Sequence, residues 1–307
     1  MESKIVTCVS YHHFEATPSQ FTRHLRISTA PEAFARQLDY FKSAYTPISL
    51  DQLLDGPLPR NPLLITIDDA YRSVHDIAAP MLDAAKIPAL LLTNPAVVAS
   101  DYVPIDNLLS LAMAEFGATG LGIAVGMANP WTCNLQRIVL DVLPRLSIAG
   151  RQDLKRRLLR LLGVNEAELA KRMDLFLDET QLKSLVTTRR FSLGNHTVSH
   201  MHLRALSAAE AHAEIVGGRQ QLEAMTGAAI RSFSFPYGNR LDATAANLDI
   251  VRGSGHEAIF LVQRRTNVLR PAPDIWYRHG MTGEHGMGLP VKLTWLARMG
   301  ELKAALN

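Results

Sequence analysis

The feature that most constrains the fold is an alternation of short apolar runs with helical stretches. Six runs are predicted to be β-strands, at residues 5–9, 63–67, 89–93, 191–193, 230–235 and 258–262. Helical spacing of apolar residues or helix-capping residues predict five helices. Three cover residues 73–85, 207–225 and 290–306, and two are predicted by their starts alone, at residue 31 and near residue 242. Repeated strand–helix units favour the α/β class, with a largely parallel sheet and helices outside it.

A long interval at about residues 101–188 departs from this alternation. It keeps a helical spacing of leucines, such as Leu154, Leu158 and Leu162, and has almost no strand pattern. It is also far longer than an ordinary crossover between neighbouring strands. We therefore expect one catalytic domain over residues 1–307 that carries a helical insertion at about 101–188. The insertion would either overhang a site on the scaffold or pack on its exterior, and the sequence favours neither placement.

The composition is that of an ordinary globular chain and limits the partners to be expected. The 32 Lys and Arg residues barely outnumber the 29 Asp and Glu residues, and no basic stripe with interleaved aromatic residues favours nucleic-acid binding. Two cysteines, Cys8 and Cys133, provide no disulfide framework. The chain opens without a signal-peptide pattern and has no apolar run of membrane-spanning length, so we expect a cytoplasmic protein without a membrane span. The sequence leaves the oligomeric state open.

Two adjacent carboxylates, Asp68 and Asp69, follow the apolar run at 63–67. Neighbouring side chains in a strand point to opposite faces, but both can reach one cavity where the strand ends and the chain turns. Active sites of parallel α/β folds lie at these carboxyl ends of the strands. Taken alone, Asp69 would equally serve as the N-cap of the following helix.

Two histidines four residues apart, His196 and His200, follow the apolar run at 191–193. In isolation they would be two loop imidazoles. Together with one aspartate they provide the two-histidine, one-carboxylate set that is typical of catalytic zinc sites. The other aspartate would remain to accept a proton from water. The combination predicts a metal-dependent hydrolase.

At these residues the sequence resembles the polysaccharide deacetylases of the NodB-homology group, carbohydrate esterase family four. The Thr-Phe-Asp-Asp-Gly motif of that family corresponds to Thr-Ile-Asp-Asp-Ala at 66–70, and its His-Ser/Thr-x-x-His motif to residues 196–200. Phe-Pro-Tyr-Gly at 235–238 and an early Tyr-His at 11–12 are close to one branch of the family. The resemblance spans about residues 5–95 and 190–280 and implies a distorted (β/α)7 barrel.

The resemblance also implies a role for each matching residue. Asp68 would be the general base, and Asp69, His196 and His200 would hold one divalent metal. The backbone N–H of Tyr237 would stabilise the oxyanion. The implied reaction removes an N-acetyl group from an amino sugar, with Asp68 taking a proton from a metal-bound water. The ligand set suits zinc first, and cobalt, nickel or iron(II) as well.

Three positions depart from the family pattern. Ala70 replaces a glycine and would be tolerated only if its φ angle is negative. Ser234 stands where many members have the arginine that orients the base, and Arg278 would either replace that arginine or be a surface or structural residue. The family's late histidine, the general acid, has no clear counterpart, and the candidates for it are His12, His279 and His285.

The sequence therefore leaves two classes of function. The first is a metal-dependent amide hydrolase. Its expected substrate is a small or activated N-acetylated sugar, namely a nucleotide sugar, a lipid-linked sugar or a glycosylated natural product, because a cytoplasmic protein would not meet extracellular polymers. A neighbouring alternative is hydrolysis of a formamide or a cyclic imide. The second class is a catalytically silent barrel that binds a glycan or a partner protein; the missing arginine and acid motivate it, and the complete Asp-Asp-His-His set opposes it.

Overall fold

The computed structural model describes residues 5–98, 100–187, 191–263, 265–269 and 274–281. Two predictions, the helix at 290–306 and the candidate acid His285, lie outside these residues. The strands are β1 (Ile5–Tyr11), β2 (His13–Phe14), β3 (Ser28–Thr29), β4 (Thr46–Pro47), β5 (Pro62–Asp68), β6 (Ala89–Thr93), β7 (Phe191–Asn195), β8 (Ser232–Ser234), β9 (Ala258–Val262), β10 (Asn267–Val268) and β11 (Ile275–Gly280).

Seven parallel strands close into a barrel, in the order β1, β11, β9, β8, β7, β6, β5 and back to β1. Strand β4 extends the sheet beside β5, and β10 pairs with β1 in the antiparallel sense. Strands β2 and β3 form a separate short pair. The predicted (β/α)7 barrel is confirmed. The six predicted strands all occur in it, and β11, which the sequence reasoning did not identify as a strand, is the seventh.

The α-helices are α1 (Pro31–Ala44), α2 (Leu50–Asp55), α3 (Ala79–Ala85), α4 (Ile105–Ala124), α5 (Leu135–Arg137), α6 (Ile148–Leu162), α7 (Glu166–Met173), α8 (Glu179–Thr187), α9 (Ala208–Thr226) and α10 (Ala245–Gly253). Helix α9 begins with the predicted capping box between Ser207 and Glu210. The helix predicted from residue 242 begins later, because Thr244 is its N-cap. Asp242 is instead fully buried and accepts a hydrogen bond from the backbone N–H of Arg204.

Short 3-10 and π-helical turns connect these elements. The 3-10 turns are Pro95–Val97, Pro130–Thr132, Leu143–Arg145, Leu203–Ala205 and Pro236–Gly238. The π-helical turns are Val74–Ala78, which precedes α3, and Ile138–Val142, which follows α5. The helix predicted at 73–85 is therefore present as a π turn that continues into α3.

The barrel interior changes character along its axis, since alternate strand positions point inward. Buried apolar side chains form its lower layer, among them Cys8, Leu64, Leu90, Phe260 and Trp276. Towards the carboxyl ends of the strands, several inward positions are polar. Thr66 and Asp68 of β5, Ser234 of β8 and Arg278 of β11 meet across the barrel although these strands are not neighbours. The fold thus has an apolar base and a polar end.

Helices α4–α8 lie between β6 and β7 and form the helical insertion. Helices α4–α7 pack around their own apolar core, which includes Leu108, Leu121, Ile138, Leu154 and Leu158. The buried Leu182 and Leu185 of α8 belong instead to the core beside the barrel strands. Among the described helices, α4 alone is long and apolar enough to cross a membrane by length and composition. Half of its apolar window is buried, and the chain is non-helical within it at Gly117, with φ 69° and ψ 178°. These two facts favour a packed helix of the insertion.

Candidate active site

Asp68 ends strand β5 inside the barrel, where Arg278 of β11 binds it. Nη1 and Nη2 of Arg278 donate to the two carboxylate oxygens of Asp68 at 2.6 and 2.9 Å. Nη1 also donates to Thr66 Oγ1 at 2.9 Å, and Nη2 to Ser234 Oγ at 2.6 Å. The side chain of Arg278 is fully buried. Arg278 is therefore not a surface residue: it binds Asp68 directly, and Ser234 is one of its supports.

The charges around Asp68 keep it ionised. Burial by itself would raise the pKa of Asp68, but the positive charges beside it, that of Arg278 first, outweigh burial and lower the pKa to about 2. A bidentate guanidinium also holds the plane of the carboxylate in one orientation. Asp68 is thus a fixed carboxylate at any physiological pH.

Asp69, His196 and His200 converge beside Asp68. Asp69 Oδ1 lies 3.6 Å from His196 Nε2 and 3.5 Å from His200 Nε2, and the three ligand atoms all lie within 4.8 Å of one another. Oδ1 is also a buried oxygen with no hydrogen-bond partner among the described residues. Ligand atoms at about 2.1 Å from a tetrahedral ion are roughly 3.4 Å apart, so this arrangement fits a divalent cation.

The other ring nitrogen of each histidine faces an acceptor. Nδ1 of His196 lies 2.8 Å from the carbonyl oxygen of Ser234, and Nδ1 of His200 lies 3.2 Å from Asp106 Oδ2. Each acceptor favours a proton on Nδ1 and leaves the Nε2 lone pair directed at the site. Burial lowers the pKa of His196 to about 4, which keeps this imidazole neutral, as a metal ligand must be.

Left-handed backbone conformations concentrate at the site. Of the nine non-glycine residues with positive φ among the described residues, five lie in the three motifs: Asp69, Ala70, Thr197, His200 and Tyr237. Such conformations are costly for residues with a Cβ and persist where the surrounding structure holds them. The expectation for Ala70 was wrong: its φ is 53°, so an alanine adopts here the left-handed conformation that favours glycine.

Helix α9 holds the loop between the two histidines. The Glu214 carboxylate accepts hydrogen bonds from the backbone N–H of Ser199 at 2.9 Å and from its hydroxyl at 2.6 Å. The backbone carbonyl of Glu214 accepts from the N–H of Val198 at 3.1 Å. Sequence reasoning did not identify Glu214, because a glutamate within a helix carries no signal of its role.

The helical insertion reaches the site through Asp106, in the first turn of α4. Its carboxylate contacts His200 Nδ1 and accepts a hydrogen bond from the Tyr237 hydroxyl at 3.0 Å. Burial would raise the pKa of Asp106, but the hydrogen bond and charge of His200 lower it. Sequence reasoning missed Asp106 as well, because acidic residues are common in the first turn of any helix.

A cavity of about 900 Å³ opens above these residues, between the barrel end and the insertion. His12 lines it, with Nε2 3.8 Å from Asp68 Oδ2, and so does Tyr237. The candidate His279 does not line this cavity: it follows Arg278 on β11, and alternation along the strand directs it away from the barrel interior. Because insertion residues such as Asn107 and Met113 line the same cavity, the insertion overhangs the site.

Comparisons with known proteins point to one family and one fold. A family model described as polysaccharide deacetylase matches residues 161–256, which include both histidines and the Phe-Pro-Tyr-Gly motif. The resemblance to that family is confirmed. No curated protein matches the chain.

Solved structures with a similar fold include three deacetylases. One is the Streptococcus pyogenes deacetylase PplD in complex with acetate (TM-score 0.60, 14% identity, 95% of this chain and 98% of that one). Another is IcaB from Ammonifex degensii (TM-score 0.60, 18% identity, covering 96% of this chain and 98% of that one). The third is a de-N-acetylase from Aggregatibacter actinomycetemcomitans (TM-score 0.61, 13% identity, covering 95% of this chain and 99% of that one). At such identities the likeness establishes the barrel fold.

Proposed function

We propose that the protein is a metal-dependent hydrolase that removes an N-acetyl group from an amino sugar. One observation carries this proposal: an ionised Asp68, fixed by Arg278, lies beside a converging set of Asp69, His196 and His200 at the base of a large cavity. This is the combination that amide hydrolysis by an activated water requires.

The three converging side chains would hold the metal. A divalent cation bound there supplies Lewis-acid polarisation of the amide carbonyl and lowers the pKa of water. Zinc suits two imidazoles and one carboxylate best, and cobalt, nickel or iron(II) would also fit. The orphaned Oδ1 of Asp69 supports the assignment, because a buried carboxylate oxygen without a partner is otherwise costly.

Asp68 accepts the proton of the attacking water as the new C–O bond forms. Arg278 orients the acceptor oxygens and disfavours the protonated acid, so the proton is readily passed on. The backbone N–H of Tyr237, in the turn after β8, donates to the carbonyl oxygen as it gains negative charge; one such donor is worth about 3 kcal/mol. His12, 3.8 Å from Asp68 on the cavity wall, returns the proton to the departing nitrogen as the C–N bond breaks. The products are acetate and the free amine.

The alternative functions have less support. A formamide or a small cyclic imide would occupy little of a cavity of about 900 Å³, whereas a sugar with a substituent would use it. A silent binding barrel would not need a base that is buried and bound by a fully buried arginine. The complete site therefore favours the enzyme.

Metal content and acetate release test the proposal together. The purified protein, loaded with zinc or cobalt, should contain about one metal per chain by elemental analysis and should release acetate from N-acetylglucosamine derivatives. His200→Ala should lose both. His75→Ala, which changes a partly exposed histidine on the π turn before α3, should keep both. A wild type that takes up no metal, or a His200→Ala variant with full metal content, would contradict the ligand assignment.

A further inference from the structure

The cavity wall that the insertion supplies is mostly apolar. Its apolar members are Met113, Ala118, Leu135, Val139, Leu140 and Phe176, and Asn107, Asn134 and Gln136 line it as well. A sugar ring presents hydroxyl groups, and burying them against hydrocarbon without partners is unfavourable. At about 900 Å³, the cavity is also near the upper end of the usual range of roughly 300–1,000 Å³ for ligand pockets. The wall therefore fits an apolar part of a substrate that is larger than a sugar.

The same insertion exposes large apolar side chains on its surface. Of the six such side chains among the described residues, five lie in the insertion: Phe116, Ile123, Trp131, Leu140 and Leu161. Trp131 is 80% exposed. Leu140 both lines the cavity and is 39% exposed, so the apolar wall continues from the cavity to the surface. Singly exposed apolar side chains are ordinary, so the informative residue is Leu140, through which the apolar part of the cavity lining reaches the surface.

A short segment that lines the same cavity is basic. Arg23, His24 and Arg26 line the cavity, and no carboxylate among the described residues pairs with either arginine. The segment is attached to the insertion: the N–H of His24 donates to Ser110 Oγ at 3.4 Å, and that hydroxyl donates to the carbonyl of Gln20 at 2.9 Å. Arginines of this kind are suited to phosphate, which they bind through two N–H groups.

We propose that the substrate is an N-acetylated amino sugar joined through phosphate to a hydrocarbon chain. The sugar lies over Asp68, the phosphate at Arg23 and Arg26, and the chain along the apolar wall towards Leu140. This proposal rests on the proposed function and specifies its substrate class. A neutral polysaccharide would use neither the cations nor the wall, and a nucleotide sugar would use the cations alone.

Acetate release from three soluble probes separates these classes. The probes are N-acetylglucosaminyl diphosphate bearing a ten-carbon isoprenyl chain, UDP-N-acetylglucosamine and penta-N-acetylchitopentaose. We expect kcat/KM for the isoprenyl probe to exceed that for each of the others at least tenfold. Equal use of the two phosphate-bearing probes would reject the hydrocarbon chain, and preference for chitopentaose would reject the whole substrate class while leaving deacetylation intact.

Binding provides a readout that does not depend on turnover. Calorimetry on Asp68→Asn should detect the isoprenyl probe with an affinity at least tenfold above that for UDP-N-acetylglucosamine. Binding of this order without acetate release from the wild type would reject the deacetylase function and keep the ligand class. If neither Asp68→Asn nor the wild type binds the isoprenyl probe, the ligand class is rejected.

Variants assign the two parts of the ligand to their places. Arg23→Gln with Arg26→Gln should raise KM about tenfold for both phosphate-bearing probes and leave kcat unchanged. Arg36→Gln, an exposed arginine of α1 that does not line the cavity, is the matched control. Leu140→Ser should raise KM for the isoprenyl probe alone. Identical kinetics in the double arginine variant and the wild type would overturn the phosphate assignment.

Discussion

The barrel and the helical insertion contribute to one cavity in different ways. The barrel places Asp68 and Arg278 on hydrogen-bonded strands, where neighbouring strands fix both main chain and side chain. The insertion has an apolar core of its own and contributes Asp106 and an apolar wall. The difference separates two tasks in the proposed enzyme: the barrel would hold the reacting groups, and the insertion would determine what lies beside them.

The largest expected effect tests the barrel side of this comparison. Asp68→Asn removes the proposed base but keeps a side chain of the same size, so kcat should fall by about 10²–10⁴-fold. Metal content, measured by elemental analysis, should remain at the wild-type level because Asp68 is not among the three ligands. Asp153→Asn, at an exposed position of α6, is the matched control and should change neither quantity. Turnover retained in Asp68→Asn would remove Asp68 as the base.

The next prediction concerns the buried ion pair. Arg278→Met leaves Asp68 buried without its cation and should lower the free energy of unfolding at pH 7 by about 3–5 kcal/mol, measured by urea denaturation. Arg252→Met breaks an exposed pair with Asp274 and should cost under about 1 kcal/mol.

The contribution of Asp68 to the free energy of unfolding should depend on pH in opposite directions in the wild type and in Arg278→Met. In the wild type the pKa of Asp68 is lowered to about 2, so its contribution is present above about pH 4 and is lost as the pH falls towards 2. In Arg278→Met burial dominates and raises the pKa of Asp68. The deficit of the variant relative to the wild type should therefore begin to shrink as the pH falls towards 4, and should shrink further as the wild type loses its own contribution between pH 4 and pH 2. A deficit that stays constant from pH 7 to pH 3 would contradict this account.

A smaller effect tests whether the insertion supports the metal site. Asp106→Asn removes the charge that faces His200 Nδ1, and loss of such a partner typically weakens metal binding about 10–100-fold. Competition with a chelator measures this affinity without turnover. Asp101→Asn, at an exposed position shortly before α4, should bind metal as the wild type does. Equal metal affinities in the two variants would mean that the insertion lines the cavity but does not support the metal site.

The smallest expected effect tests whether the insertion and the barrel unfold together. Ser147 caps α6 in the insertion and Ser207 caps α9 beside the barrel, and replacing either by alanine should cost about 1 kcal/mol. If the two regions unfold together, both variants shift one urea transition by similar amounts. A separate early transition in Ser147→Ala alone would show that the insertion unfolds by itself.

The strand-end motifs were predictable because their chemistry is local. Asp69 and the histidines follow apolar runs that could only be strands of a parallel sheet, and such strand ends converge. The seventh strand was not identified, because Arg278 and His279 give β11 a polar sequence. An arginine is tolerated at this inward position because it lies at the polar end of the barrel, where the carboxylate of Asp68 compensates its charge.

Ala70 shows where local reasoning failed. A non-glycine residue at that position predicts a negative φ, yet the angle is 53°. The Ala70 carbonyl accepts a hydrogen bond from the N–H of Leu177 in the insertion at 3.0 Å, and its side chain is completely buried. Long-range packing therefore holds a conformation that the residue alone disfavours.

By itself the sequence determined the strand–helix alternation, the helical insertion and the four residues Asp68, Asp69, His196 and His200, because periodicity and strand ends are encoded in neighbouring residues. The tertiary structure alone decided that Arg278 binds Asp68, that Asp106 binds His200 and that the insertion covers the site. These contacts join residues 210 and 94 positions apart in the chain. No local pattern specifies such pairs, since they form only when the barrel closes and the insertion packs over its end.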